Sequence, residues 1–226
     1  DTAEGDEEYV YDAAEQLSRV TNHVSHLAKR YGYDRRGNLV SVTDASGVTS
    51  YDYNAEDRMS RATLPGGATN GFSYAPYGES RLTFGEFGAR IGKTGRSGGR
   101  TAFYHEGRNV LEEIDSNGTT LARYVPSCCD DVPLKTIKSN GEEYFYLADG
   151  VMSTTYLLDS RNQIVQKYDY DDFGRSSVTK GDANRYRFTG REYEEDIGLQ
   201  YNRARYYDAT IGRWATQDPL IDNGRF

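Results

Sequence analysis

The sequence predicts an all-β fold in which tandem Tyr-rich β-hairpin repeats form a curled or spiral β-sheet. Aromatic residues recur in pairs at positions i and i+2, a spacing that places both rings on one face of a strand. The pairs are Tyr9/Tyr11, Tyr31/Tyr33, Tyr51/Tyr53, Phe72/Tyr74, Tyr144/Tyr146 and Tyr168/Tyr170. No window keeps apolar residues at the helical spacing, and 24 glycines disfavour helix interiors.

The first four pairs belong to a tandem repeat, because their second members are separated by 22, 20 and 21 residues. The sequence of each unit predicts a strand, a tight turn and a return strand. Counted from the second aromatic residue, Asp or Asn comes next and apolar residues lie six and nine positions further on. In several units a Gly lies four positions on, where it favours a positive φ. These positions are Asp12, Asp34 and Asn54; Leu17, Leu39 and Met59; Val20, Val42 and Ala62; and Gly37, Gly78 and Gly174. Turns at 44–47, 115–118, 139–141 and 159–162 each lead into a Tyr-containing strand.

A single hairpin cannot bury its face alone, so the units are expected to stack into one long sheet. Hairpins are expected over 1–84 and 101–180, and a Gly-rich irregular loop over 85–100. Within that loop, Gly92-Lys93-Thr94 lies one residue short of the phosphate-binding spacing from Gly88 and has no βαβ context. We therefore expect no nucleotide cofactor.

Composition excludes several partner classes. The chain has 226 residues and a net charge of −8, so it lacks the basic field that neutralises nucleic-acid phosphates or anionic lipids. It contains no apolar run long enough to span a bilayer and begins with neither Met nor a signal sequence, which suggests a piece of a longer chain. Its aliphatic content is low, and 20 Tyr residues are expected to supply the buried surface.

The sequence gives little evidence for a metal site or for a disulfide bond. Cys128 and Cys129 are adjacent, which favours two thiols in a turn over a vicinal disulfide or a surface metal contact. Three histidines are too few for a confident metal site; His23 and His26 fall in a segment interpreted as strand, and His105 is interpreted as a surface residue. We expect no metal and no cofactor.

Two groups near the C-terminus allow a ligand-binding interpretation. Arg185/Arg187 and Arg203/Arg205 are spaced at i and i+2, which predicts that each pair lies on one face of a strand, where it could bind an anion. Stacking on Tyr and pairing with nearby acidic residues explains these arginines more simply. Those acidic residues are Glu192, Glu194, Glu195 and Asp196. Trp214 with Tyr201, Tyr206 and Tyr207 could form a platform for sugar rings, whereas no carboxylate pair is singled out for glycoside hydrolysis.

The segment from Tyr31 to Leu39 resembles the YD repeat of the rearrangement hot spot (Rhs) family, which includes bacterial polymorphic toxins, toxin-complex C components, wall-associated proteins and teneurins. The C-terminal region, 181–226, resembles the family's repeat-associated core segment. The signature positions are Tyr11, Tyr33, Tyr53, Tyr74, Tyr170, Gly190, Arg205, Tyr206, Tyr207, Asp208, Gly212, Arg213, Trp214, Asp218 and Pro219. The resemblance implies part of a YD-repeat β-shell that the core segment closes, followed by a variable extension that is often a toxin.

Some family members cleave themselves with aspartates from two Asp-Pro-x-Gly stretches. Asp218-Pro219 matches the first stretch, but Ile221 stands in place of Gly, and no second stretch occurs. Because a proton-sharing pair of carboxyl groups is needed, Asp218 is only half of an autoprotease site, and we expect no enzyme activity.

The leading functional hypothesis is a structural module that encloses or presents the polypeptide following it. Its partners would be flanking parts of its own chain, including an encapsulated C-terminal toxin, and the family implies secretion or a cell-surface location. The alternative is a cell-surface adhesive or fibre-forming protein that binds copies of itself or glycans. A wall-building module should bury Trp214 and the strand from Arg205 to Asp208, whereas an adhesin should expose aromatic rings.

Overall fold

The computed structural model describes residues 7–75, 88–127, 132–180 and 184–218. Sixteen strands form one antiparallel sheet in which every strand pairs with its neighbours in the sequence, and four further strands form a second, small sheet. Apart from a single 3-10 turn at Phe188–Gly190, the described ranges are strands and turns. This confirms the all-β prediction.

The large sheet comprises β1 (Glu7–Tyr11), β2 (Leu17–Asn22), β3 (Leu27–Tyr33), β4 (Leu39–Asp44), β5 (Gly47–Tyr53), β6 (Met59–Thr63), β7 (Thr69–Tyr74), β8 (Arg90–Thr94), β9 (Arg100–Glu106), β10 (Asn109–Asp115), β11 (Thr120–Pro126), β12 (Pro133–Lys138), β13 (Glu143–Ala148), β14 (Thr154–Leu158), β15 (Ile164–Tyr170) and β16 (Ser176–Lys180). The small sheet comprises β17 (Glu192–Glu194), β18 (Leu199–Asn202), β19 (Arg205–Asp208) and β20 (Arg213–Trp214). All six predicted aromatic pairs lie in strands of the large sheet.

The turn after each repeat Tyr follows the predicted chemistry. Asp34 Oδ1 accepts hydrogen bonds from the backbone N–H groups of Arg36 at 2.8 Å and Asn38 at 2.9 Å. Gly37 has a φ of 80°, and its N–H donates to the carbonyl of Asp34. Gly174 occupies the equivalent position with a φ of 86°, and its missing side chain leaves room for the ring of Phe188. Gly78 lies outside the described residues.

The second aromatic residue of several pairs lies at a bend of the sheet or joins neighbouring units. The pairing register shifts at Tyr33, Tyr53 and Tyr74, and bulges of this kind bend a strand and increase its twist. The hydroxyl of Tyr53 donates to the carbonyl of Leu39 at 2.7 Å, and that of Tyr74 donates to the carbonyl of Met59 at 2.7 Å. Tyr53 and Tyr74 thus each fix the start of the previous return strand.

The small sheet packs against the concave face of the curled large sheet. The apolar positions of the repeat, including Leu17, Leu39 and Met59, form one buried cluster with Tyr201 and Tyr206. The residues that begin the return strands are therefore buried by the C-terminal part of the chain. Among the described residues, none forms a helix with the length and hydrophobicity to cross a membrane.

The expected irregular loop over 85–100 is wrong for part of its length. Residues 85–87 lie outside the described ranges, but Arg90–Thr94 forms strand β8, which pairs with Tyr74 on one side and Arg100 on the other. The sequence pattern does not reveal this strand, because its core-facing residue is Arg90, which is 1% exposed. A buried arginine does not produce the apolar alternation that identifies a strand.

Candidate functional site

The functional candidate is the contact between the C-terminal segment, defined here as residues 184–218, and the concave face of the large sheet. At its centre, the guanidinium group of Arg90 pairs with Glu192 and lies 2.6 Å from Glu194 Oε1, at an angle outside that of a hydrogen bond. Arg90 Nη1 also donates to the hydroxyl of Tyr206 at 3.1 Å. One residue of the large sheet therefore holds two strands of the small sheet.

A second arginine continues this cluster from the other side. Arg185 Nη2 donates to Glu192 Oε2 at 2.5 Å, and its Nη1 donates to Glu113 on β10. Lys93 Nζ lies 3.1 Å from Glu194 Oε2. The ionic cluster thus contains Arg90, Lys93, Arg185, Glu113, Glu192 and Glu194, three formal charges of each sign.

The cluster favours ionised carboxylates in spite of burial. Burial by itself raises the pKa of Glu192, but the guanidinium groups of Arg185 and Arg90 outweigh this and lower the pKa to about 2. The same balance lowers the pKa values of Glu113, beside Arg185, and Glu194, beside Arg90. A buried network with balanced charge positions two surfaces precisely and tolerates the loss of a member poorly.

His105 borders this cluster and is half-buried, so its interpretation as a surface residue is wrong. Its Nε2 lies 3.0 Å from the backbone carbonyl of Arg90, so Nε2 carries the proton. Its Nδ1 is buried and has no hydrogen-bond partner among the described residues. Burial lowers the pKa of His105. His23 and His26 instead lie in the exposed turn between β2 and β3, not in a strand, and His26 has a φ of 55°.

We expect stability to depend on the titration of His105. In the unfolded chain its pKa is near the ordinary 6.5, whereas burial beside Arg90 and Arg185 keeps the folded value lower. The folded state therefore binds fewer protons in this window, and stability falls as the pH drops below about 6.5, by at most about 1.4 kcal/mol per pH unit. Above that pH the contribution is constant.

The measurement is thermal unfolding between pH 7.5 and pH 5. His105→Gln, which retains an N–H donor, should flatten the pH dependence, while His23→Gln in the exposed turn should leave it unchanged. Equal pH dependence in all three proteins would disprove the role of His105. The carboxylates Glu192, Glu194 and Glu113 act in a separate, more acidic window: because their pKa values are lowered in the folded state, their contribution is complete above the ordinary carboxyl pKa and is lost progressively as the pH falls from there through the folded values.

The C-terminal arginines form ion pairs and stack on rings, although their backbone differs from the prediction. Arg187 pairs with Glu195 and lies 4.1 Å above the Tyr193 ring, which agrees with the simpler interpretation. However, 184–187 is not a strand, and Arg203 lies in the turn between β18 and β19 with a φ of 61°. The prediction that each of these arginine pairs lies on one face of a strand is therefore wrong.

The remaining signature residues shape the ends of the small sheet. Gly190 and Gly212 both have a positive φ, and a side chain at Gly212 would collide with the Phe173 ring. Asp208 closes a turn by accepting hydrogen bonds from Thr210, and burial raises the pKa of Asp208. Arg213 donates to the hydroxyl of Tyr11 at 3.0 Å.

Trp214 contradicts the expectation of burial, since it is 42% exposed. Neighbouring residues of β20 point to opposite faces, and Arg213 is the one that turns toward Tyr11 on the large sheet. Trp214 therefore faces away from the core. Tyr206 is 3% exposed, as expected for the strand from Arg205 to Asp208, while Arg205, Tyr207 and Asp208 are half-buried.

Asp218 forms an ion pair with Arg205, whose Nη2 lies 2.8 Å from Asp218 Oδ2. This partner is a guanidinium group, whereas an aspartyl protease needs a second carboxyl group to share a proton. Pro219, Ile221, Cys128 and Cys129 lie outside the described residues. Within the described ranges, no group of three His, Cys, Asp or Glu residues is arranged to hold a metal.

Sequence reasoning missed Arg90 and Glu113, two of the residues by which the large sheet binds the C-terminal segment. Arg90 is 102 residues from Glu192, and Glu113 is 72 residues from Arg185. The local signal was limited to the concentration of charged residues near 185–196, which identified one half of the contact.

An open sheet of tandem hairpins, filled on its concave face by its own C-terminal segment, defines a class of β-repeat shell proteins. A family model described as RHS Repeat matches residues 33–69. The chain is 30% identical over 210 residues to the tRNA nuclease WapA of Bacillus subtilis strain 168, a match that covers 90% of this chain and 8% of that protein. Toxin protein Tse5 of Pseudomonas aeruginosa is 27% identical over 236 residues, covering 88% of this chain and 17% of Tse5.

Solved structures share the fold. The Tc holotoxin pore of Photorhabdus luminescens matches with a TM-score of 0.56 and 16% identity, over 94% of this chain and 14% of that one. A crystal structure of TcdB2-TccC3 matches with a TM-score of 0.57. The chain belongs to the Rhs, or YD-repeat, family, and it spans a small fraction of the length of the relatives it matches.

Proposed function

We propose that this chain is the closing part of a YD-repeat shell. In this proposal the large sheet forms part of the wall, the C-terminal segment caps it from the concave side, and the polypeptide that follows in the full protein is enclosed or presented. The relatives include proteins named as toxins, which makes a toxic C-terminal extension the preferred client. The chain itself has a structural role, and secretion or display at the cell surface is proposed from the family alone.

The observation that carries the proposal is the breadth of the contact between the two parts. The C-terminal segment reaches β1 through Arg213 and Tyr11, and β15 through Phe188, whose ring centroid lies 5.8 Å from that of Tyr170. Between these ends it fills the concave face with buried rings and the ionic cluster. A segment that contacts both ends of a curled sheet fixes its curvature, as a cap on a container must.

The alternative of an adhesive or fibre-forming protein rests on two observations. Trp214 is exposed, and β1 and β16 each have one hydrogen-bonded neighbour in the described sheet. Unpaired edges can join copies of the chain. However, the neighbouring parts of a longer protein would cover the same edges, so the edges by themselves favour neither function.

The test is limited proteolysis of the native full-length protein, after its intact mass and terminal sequences have been determined. We expect a much longer chain whose C-terminal extension resists trypsin until the shell is opened by denaturant. An Arg90→Ala variant should expose the extension at lower denaturant, whereas Arg61→Ala, at an exposed ion pair with Asp52, should not. A short native chain that sediments as a large polymer would instead favour the fibre.

A further inference from the structure

A cleft of about 380 Å³ lies between the small sheet and the turn that joins β13 to β14. The small sheet contributes four of its side chains, those of Gln200, Asn202, Tyr207 and Trp214. Pairing register places these four on one face, whereas Tyr201 and Tyr206 point from the opposite face into the buried cluster. The cleft therefore lies on the face of the small sheet that the large sheet does not cover.

The chain reaches Asp218 on this same face. Arg205 pairs with Asn202 across the strands and is two residues from Tyr207, so its side chain shares the face of the cleft. The guanidinium carbon of Arg205 lies 4.1 Å from the centroid of the Trp214 ring, and Nη2 lies 2.8 Å from Asp218 Oδ2. The polypeptide that follows Asp218 therefore starts beside the aromatic edge of the cleft.

Apolar side chains form two walls of the cleft. On the small sheet, the centroids of Tyr207 and Trp214 are 5.2 Å apart and their planes are inclined at 57°, so the rings form a corner. Val151, which is 60% exposed, and Phe188 also line the cleft. Aliphatic side chains placed between these walls would remove apolar surface from water on both sides.

Two primary amides form the polar part. Gln200 Nε2 donates to Asn202 Oδ1, and Asn202 Nδ2 donates to the carbonyl of Gln200, both at the long distance of 3.4 Å. An amide has two donor hydrogens and an acceptor oxygen, so each retains hydrogen-bonding capacity. An extended peptide offers a backbone donor and acceptor at every residue other than Pro, which matches a pair of neighbouring amides.

The backbone at the rim is held in an unfavourable conformation. Met152 and Thr189 both line the cleft and both have a positive φ, 67° and 49° respectively. Left-handed backbone at residues other than Gly is costly and is concentrated at binding sites. The N–H of Thr189 donates to Ser153 Oγ at 3.0 Å, which ties the two sides of the rim together.

The charge of the cleft complements the sequence that follows. Arg191 lines the cleft, and none of the described lining residues is acidic. Two aliphatic residues and a carboxylate come soon after Asp218, in residues that lie outside the described ranges: Pro219-Leu220-Ile221-Asp222. Apolar walls beside a cation suit this composition.

We propose that the cleft binds, in extended form, the polypeptide that directly follows Asp218. Its aliphatic side chains would contact Tyr207 and Trp214, its backbone groups would bond to Asn202 and Gln200, and its carboxylate would face Arg191. The inference rests on the proposed shell function, in which the uncovered face of the small sheet is turned toward the enclosed polypeptide. The cleft then anchors the start of that polypeptide to the wall.

The test is photo-crosslinking in the full-length protein. The photoreactive residue p-benzoylphenylalanine replaces either Val151 at the exposed rim or Tyr207 inside the cleft. After irradiation and trypsin digestion, fragment spectra locate the crosslinked residue. We expect both probes to label residues that directly follow Asp218. The same replacement at Tyr104, a 56% exposed aromatic residue of β9, should not label them.

A charge reversal tests the electrostatic part. Arg191→Glu should lower the yield of the Val151 crosslink about fivefold, because it places a like charge beside the carboxylate of the bound segment. The matched control is Arg123→Glu, at an exposed arginine of β11 outside the cleft, which should leave the yield unchanged. Circular dichroism checks that each variant is folded.

The proposal is overturned if both probes label only a second copy of the chain, a separate protein or residues before Asp218, or if neither probe gives a crosslink. An unchanged yield in Arg191→Glu overturns it equally. Failure of the shell function gives a different result, a C-terminal extension that trypsin digests without denaturant, whatever the crosslinks show.

Discussion

Replacing Arg90 with Ala is expected to destabilise the protein by about 3–5 kcal/mol, the loss typical of a buried ion pair deprived of one partner. The substitution leaves Glu192 and Glu194 buried with part of their compensating charge removed. It also removes the hydrogen bond to Tyr206 and the stacking of the guanidinium 4.2 Å above the Tyr201 ring. Urea unfolding followed by far-UV circular dichroism measures the change.

The matched control is Arg61→Ala. Arg61 also pairs with a carboxylate, that of Asp52 at 2.6 Å, but both side chains are more than half exposed. Exposed pairs contribute about 0–1 kcal/mol, so this variant should unfold almost like the parent protein. Equal losses in the two variants would show that the ionic cluster does not hold the C-terminal segment. Arg90→Lys should recover only part of the loss, because Lys cannot form the same forked contacts.

Replacing Tyr206 with Ala is the second large effect, with an expected loss of about 3–5 kcal/mol. Tyr206 is 3% exposed, and its ring lies 5.4 Å from Phe72 and 5.2 Å from Tyr201. Truncation opens a cavity where the small sheet meets the large one. The loss should appear in urea unfolding and as faster proteolysis of the C-terminal segment.

Tyr206→Phe distinguishes the contribution of the ring to stability from that of the hydroxyl group. It preserves the packing and removes only the acceptor for Arg90, so we expect a loss of about 1–3 kcal/mol. Tyr104→Ala, at an exposed site, should cost little. A Tyr206→Ala variant as stable as Tyr104→Ala would mean that the small sheet contributes nothing to the stability of the large one.

The local structure was predictable because its causes lie within a few residues. The alternation at Tyr31/Tyr33 gives a strand, Asp34 closes the following turn, and Gly37 supplies the positive φ. Each of these choices depends on backbone geometry and short-range hydrogen bonds, which the order of residues specifies directly. The resemblance to the family rested on this repeat and, more strongly, on the motifs of the C-terminal core segment.

The candidate site was only half predictable. The arginines and glutamates of 185–196 were recognised as an ionic group, and the structure pairs Arg185 with Glu192 and Arg187 with Glu195. Their partners on the large sheet give no local signal, and Arg90 lies in a segment that the sequence predicts to be a loop. Contacts over such separations depend on how many hairpins intervene and how strongly each bends the sheet.

The sequence by itself therefore determined the hairpin repeat, its turns and the all-β class, because these follow from periodicity and turn chemistry. Only the tertiary structure decided that the C-terminal segment fills the concave face, that Arg90 is buried there beside the half-buried His105, and that Trp214 faces outward. The physical reason is curvature. Small bends at each repeat Tyr add up over sixteen strands, and their sum, not any single residue, brings distant parts of the chain together.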